Sequence, residues 1–229
     1  MKQFAAKTAR PLPVIILADV SGSMGENDKI GMLNRAIKEM LQTFTKESRL
    51  NAEIQVALIT FGGNGAIAHV PLAPAHQIQS FQELTADGGT PMGGAFKEVT
   101  KLLEDKDVIP SRAYRPTLVL ISDGQPDPGS DWESALEELR RSDRAQKATR
   151  MAMAIGDDAD EQMMAKFINN PEIPLFKAHN ALDVVRFFRA VSMSVTSRSR
   201  SATPNQPIEI SYEDIPDDDL DLDDLVFKK

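Results

Sequence analysis

The feature that most constrains this chain is an alternation. Short, wholly apolar runs are followed repeatedly by stretches with helical spacing. Strands buried on both faces read as unbroken apolar runs, and amphipathic helices between them supply the cover. The pattern therefore predicts an α/β fold with a doubly wound, mostly parallel sheet and helices on both faces. Pro13–Asp19 is the first predicted strand, and Ile30, Leu33, Ile37, Met40, Leu41 and Phe44 mark a helix over Lys29–Lys46. Ile54–Phe61 is the second strand. Gly62-Gly-Asn-Gly65 joins it to Ala66–Val70, and so short a connection allows only antiparallel pairing, which puts this third strand at an edge. Further strands are predicted at Thr117–Ser122, Arg150–Ile155 and Leu175–Ala178, making a six-stranded sheet. Helices are predicted at Pro91–Glu104, Asp131–Asp143, Asp160–Ile168 and Ala181–Val195, with Thr90 as the cap before Pro91.

After Val195 the character changes. Thr196–Pro207 is rich in Ser, Arg and Pro and reads as a linker, which leaves 1–195 as the domain and 208–229 as an acidic tail dotted with apolar residues. The tail accounts for the charge: Ile208–Lys229 holds nine acids and two lysines, a net of −7, out of −8 for the whole chain of 229 residues. A nearly neutral domain with an acidic extension gives no footprint for nucleic acid or for an anionic membrane surface. Zero Cys excludes a disulfide framework, a cysteine zinc site and a thiol nucleophile. The basic start runs into only about five apolar residues at Val14–Ala18, with Pro11 and Pro13 before them and Asp19 after. It reads as a buried strand rather than a signal peptide, and the expected location is cytoplasmic.

In a doubly wound sheet, ligands bind at the carboxyl ends of the strands where strand order reverses. The first strand runs into Asp19-Val-Ser21-Gly-Ser23-Met and the fourth into Ser122-Asp123-Gly-Gln-Pro. Asp87-Gly-Gly-Thr90-Pro-Met lies in the loop ahead of a helix. Converging, these loops would gather two carboxylates and three hydroxyls. Alternate positions of an extended segment share a side, so Asp19, Ser21 and Ser23 can face one ion. An all-oxygen set suits Mg²⁺ or Mn²⁺, Ca²⁺ less well, and disfavours zinc or copper. Each motif alone has a plainer reading as a turn or a helix cap. The paired glycines at 88–89 and 93–94 lack the Gly-Lys-Ser/Thr of a phosphate loop, and His69, His76 and His179 are scattered without metal spacing.

Asp19-x-Ser21-x-Ser23, with Thr90 downstream and Asp123 at a strand end, resembles the metal-ion-dependent adhesion site (MIDAS) of von Willebrand factor type A domains. The resemblance covers nearly all of residues 12–195 and implies a Rossmann-like six-stranded sheet with an antiparallel edge strand. It also implies that Ser21, Ser23 and Thr90 bind a divalent metal directly while Asp19 and Asp123 act mainly through water. The opening Leu12-Pro-Val-Ile-Ile-Leu-Ala-Asp-Val-Ser-Gly-Ser-Met-Gly25 looks like that of stand-alone bacterial proteins of the tellurium-resistance type, which implies a stress or defence setting beside kinases or phosphatases.

The expected function is a metal-dependent binding module, not an enzyme. A protein partner would supply Asp or Glu as the last ligand, and loops at Gly25–Lys29, Gln125–Asp131 and around Thr90 would read the surrounding surface. Met24 and Met92 could form an apolar rim and Gln125 a polar contact. Asp217, Asp219 and Asp221 of the tail are candidates for docking on a partner or on a second copy. The alternative, a hydrolase or phosphatase using the same cation, lacks a base, since no His, Lys or Cys sits in the three motif loops. Ser21 also stands where haloacid-dehalogenase-type phosphatases would carry a second Asp.

Overall fold

A computed structural model describes residues 9–47 and 52–206. Six strands form one sheet: β1 (Arg10–Asp19), β2 (Ala52–Gly62), β3 (Gly65–Pro74), β4 (Thr117–Ser122), β5 (Thr149–Ile155) and β6 (Phe176–Ala178). Their order is β3-β2-β1-β4-β5-β6. All neighbours pair in parallel except β2 and β3, which are antiparallel, so the short Gly/Asn connection makes the edge hairpin that its length demands.

The helices are α1 (Lys29–Thr45), α2 (Met92–Glu104), α3 (Trp132–Arg141), α4 (Asp143–Gln146), α5 (Glu161–Ile168) and α6 (Ala181–Arg200). They cover both faces, and β1 shows why the sequence requires it. Leu12, Val14, Ile16 and Ala18 pack with residues of α1 and α6, whereas Ile15 and Leu17 pack with residues of α2, α3 and α5. From Pro11 to Asp19 every residue of β1 is buried. That is the all-apolar strand of a sheet sandwiched between helical layers.

Strand order reverses direction at β1, which places a crevice beyond the carboxyl ends of β1 and β4. Chain exits there are unusual. Residues Gly22–Asp28 form 3₁₀ turns broken at Glu26 and Asn27, and Asn27 and Asp28 take left-handed backbone conformations (φ 52° and 57°). Asn and Asp tolerate that region better than other non-glycine residues. The kink turns the chain sharply from the strand end into α1.

Three local expectations are corrected. The helix predicted over Asp131–Asp143 is two helices, because Ser142 adopts an extended backbone (φ −62°, ψ 126°) and caps α4 through its hydroxyl. Thr90 does not cap α2; Pro91 occupies the cap position, and no side chain bonds to the helix end. The stretch read as a linker is helical as far as Arg200, and beyond the helix Pro204 is buried while Asn205 and Gln206 are exposed. Arg198, 1% exposed, donates to the carbonyls of Arg115 (2.6 Å) and Pro204 (2.8 Å) and to the Thr117 hydroxyl (2.8 Å). Asp217, Asp219 and Asp221 lie outside the described residues.

Candidate metal centre

The end of β1 delivers Asp19 with 0% exposure, too deep to meet solvent. One carboxylate oxygen accepts the Ser21 backbone N–H (2.8 Å), which closes the turn after the strand, and the other accepts the Ser122 hydroxyl. Ser122 is the last residue of β4, so this bond ties the two strand ends together. Burial pushes the Asp19 carboxyl up to about 6, although its hydrogen bonds from Ser122 and Ser21 pull the other way and the charge of Asp123 adds a small upward push.

Ser21 and Ser23 lie one behind the other, with their hydroxyls 3.1 Å apart. Ser23 then donates to Asp123 (2.8 Å), which follows β4 and is 2% exposed. Asp19, Ser21, Ser23 and Asp123 thus form one continuous run of oxygens over the crevice. Ser21 is buried and Ser23 is exposed, so the run leads from the interior to the surface.

Thr90 arrives by a different route. The Gly22 N–H donates to the Gly88 carbonyl (2.9 Å), Asp87 N–H to Val20 (2.8 Å), and Gly63 N–H to Asp87 (2.7 Å). The loop is therefore clamped between the exit of β1 and the β2–β3 turn. Gly88 is the crossing point: its φ is +70°, and a Cβ there would sit 2.2 Å from the Cα of Gly63. Farther back, Asn34 of α1 binds both polar groups of the Leu84 backbone (2.8 and 3.0 Å). Thr90 itself is 7% exposed, and its hydroxyl lies 3.7 Å from where a Cβ of Gly124 would be, beside Asp123.

Three residues that the sequence did not assign to the oxygen set take part in the site. Asp127 accepts the Thr90 N–H (2.8 Å) and returns its own N–H to the Thr90 carbonyl (3.1 Å), locking two of the motif loops together. Ser122 orients Asp19. Lys29, in the first turn of α1, puts its ammonium 2.6 Å from the second oxygen of Asp123. In the sequence Lys29 stands only as the last residue of the Gly25–Lys29 loop and the first of the predicted helix. Nothing in helical periodicity says which way such a residue turns.

Met24 and Met92 are a correction. Both are 0% exposed and pack on opposite faces of the sheet, so neither lies on an apolar rim. Their apolar side chains are consumed by the core beneath the loops. Gln125 is exposed.

The donor set fits a hard divalent ion. It consists only of oxygens, with no His or Cys, and it already holds a cation in the form of the Lys29 ammonium against Asp123. Among the described residues no group of three or more His, Cys, Asp or Glu comes together, so a metal at this crevice would depend on the hydroxyls.

Residues 14–125 match the family model of the von Willebrand factor type A domain, and these residues contain all five oxygen donors. Over this stretch, just under half of the chain, the sequence is similar to a von Willebrand factor type A domain. No curated protein matches the chain in sequence. Solved structures that share the fold include a von Willebrand factor type A protein from Catenulispora acidiphila (TM-score 0.63, 21% identity, 81% of this chain and 43% of that one). The pilus adhesin SpaC from Lactobacillus rhamnosus GG aligns at TM-score 0.65 and 17% identity, over 83% of this chain and 31% of the adhesin. Proximal thread matrix protein 1 of the mussel byssus, in a structure with a zinc-occupied MIDAS motif, aligns at TM-score 0.62 and 16% identity, over 84% and 49%. The chain therefore spans less than half the length of each of these three, and the likeness at such identities is one of fold. Among the described residues no helix is long and apolar enough to cross a membrane.

Proposed function

We propose that this chain is a von Willebrand factor type A domain acting as a metal-dependent protein–protein interaction module. Ser21, Ser23 and Thr90 would hold a divalent cation, Mg²⁺ or Mn²⁺, directly, and Asp19 and Asp123 would support it mainly through water. Such an ion, held largely by neutral hydroxyls, keeps enough positive charge to take a carboxylate from outside. The partner supplies that Asp or Glu, with exposed Gln125 beside it.

The observation that carries this reading is the continuous run of oxygens from buried Asp19 to exposed Ser23 and back to Asp123. Its carboxylates and Ser21 are buried and Ser23 is exposed, which suits an ion held below and approached from outside. This chain's residues have separable tasks: Asp19 and Asp123 supply charge, Ser122 and Asp127 fix their neighbours, and Ser23 faces the partner. Hydrolysis gains no support from the geometry. Among the described residues, the titratable side chain newly brought against Asp123 is Lys29, which is engaged as a counter-charge.

The resemblance of the Leu12–Gly25 opening to the tellurium-resistance type supports a cytoplasmic role in bacterial stress response or defence, with a kinase or phosphatase as partner. The acidic-apolar pattern around Asp217, Asp219 and Asp221 supports a second docking element, for a partner or for a second copy of the chain.

Affinity capture from the native host tests the reading, using wild type, Asp19→Ala and a chain lacking 208–229, each with Mg²⁺ or chelator. Partners lost in both the Asp19→Ala and the chelator arms are the expected outcome. Identical partners in every arm would move the function to metal-independent surfaces. Turnover of a phosphoester or peptide by the purified protein would replace binding with catalysis.

A further inference from the structure

We propose that Lys29 is a tethered counter-cation of the metal centre: its ammonium occupies Asp123 until a divalent ion displaces it, and so sets the affinity of the site. The inference rests on the metal-binding reading above and concerns how that same site is controlled.

Geometry carries it. Lys29 is the first residue of α1, directly after a left-handed Asp28, so its backbone is fixed by the helix start rather than by a free loop. Its side chain is 16% exposed and that of Asp123 is 0% exposed, so this is not a surface pair in bulk water. The ammonium lies 2.6 Å from one oxygen of Asp123 and 3.5 Å from the Ser23 carbonyl. The other oxygen of Asp123 accepts the Ser23 hydroxyl (2.8 Å). One carboxylate is thus shared between a donor of the metal set and a cation belonging to the protein.

Two nearly buried carboxylates at one crevice, Asp19 and Asp123, need compensation when no metal is present. Asp19 takes hydrogen bonds from Ser21 and Ser122, whereas Asp123 takes the charge of Lys29. A divalent ion placed among these oxygens meets that ammonium as a like charge within a few ångströms. The two positive charges repel each other most strongly where solvent is sparse. The lysine stem is long and flexible enough to carry the ammonium out to the rim. Metal affinity is then lower than the oxygen donors alone would give, and the metal-free fold is protected against its own buried charge.

Calorimetric titration of the full chain with Mg²⁺ and with Mn²⁺ tests this, comparing wild type, Lys29→Met, Lys29→Arg and, as a metal-site control, Asp123→Ala. Removing the competing charge should tighten binding roughly tenfold or more in Lys29→Met, while Lys29→Arg binds no tighter than wild type. In chelator, Lys29→Met should melt below wild type, with the gap narrowing at saturating Mg²⁺. Wild type also provides a reading that needs no variant: under an amine-acylating reagent followed by mass spectrometry, Lys29 should react faster in Mg²⁺ than in chelator. Equal metal affinities in wild type and Lys29→Met, with binding lost in Asp123→Ala, overturn the role of Lys29 and leave the metal site standing. Acylation of Lys29 at one rate with and without bound metal overturns it too. If neither wild type nor Lys29→Met binds either metal, the metal-binding reading fails and takes this inference with it.

Discussion

Asp19 is wholly buried, and its carboxyl is pushed up to about 6 from an ordinary 3.8. It holds its proton more tightly in the folded chain than in the unfolded one. The folded state therefore gains as pH falls through 6, the gain is complete below about 4, and it is lost again as pH rises through 6. A shift of this size corresponds to roughly 3 kcal/mol. Urea denaturation in chelator should show metal-free wild type losing about that much between pH 4 and pH 7 relative to Asp19→Asn, whose side chain does not titrate. A pH-independent difference between the two would refute the assignment. Ser23 is the opposite kind of residue: exposed, with a hydroxyl shared between Ser21 and Asp123. Ser23→Ala should keep stability within about 1 kcal/mol of wild type and yet weaken Mg²⁺ binding measured by calorimetry. Loss of fold without any change in binding would reverse its role. The place of both residues at one strand end was legible in the sequence, because a strand end fixes the side each alternate position faces. Met24 and Met92 misled for the same reason. Their place next to the motif is visible in the sequence, but the core that buries them is assembled from distant elements.

Among the elements, the segment between β3 and α2 does the most positioning with the least regular structure. It is held at Leu84 by Asn34 and is threaded at Gly88 past Gly63. Gly88→Ala should cost more than about 2 kcal/mol, since a Cβ meets backbone at 2.2 Å and the φ of +70° is unfavourable for any other residue. The same change should move Thr90 and weaken metal binding. A folded Gly88→Ala protein with unaltered stability and affinity would mean the crossing can relax. Strands and helices announced themselves through periodicity, as in β1 or α1. The last turns of α6 did not, because Ser197, Arg198 and Ser199 carry no apolar signal. Arg198 is buried only because the carbonyls of Arg115 and Pro204 and the Thr117 hydroxyl receive its guanidinium. Burial pulls that guanidinium down to about 10, with Arg115 contributing, and it stays charged at neutral pH. The break at Ser142 was hidden for a related reason, since a serine that ends one helix and caps the next looks like one more polar position on a surface helix.

At the scale of the whole molecule, β4 connects two ends with different tasks. Thr117 starts it, beside Arg198 and the chain leading to Gln206, and Ser122 ends it, beside Asp19 and the candidate metal centre. Arg198→Met should destabilise the fold by roughly 2–4 kcal/mol, because it removes a buried charged donor and strands its acceptors. The rim lies at the other end of the strand, so Mg²⁺ affinity in the folded fraction should be unchanged. Paired denaturation and calorimetry would check both halves of that expectation, and a concurrent fall in affinity would mean the ends are coupled. The five residue steps from Thr117 to Ser122 separate them by about 17 Å. Exposed Ser23 and the Pro204–Gln206 end of the described chain therefore lie at opposite poles of the sheet, like a hook and the eye its cord is tied to.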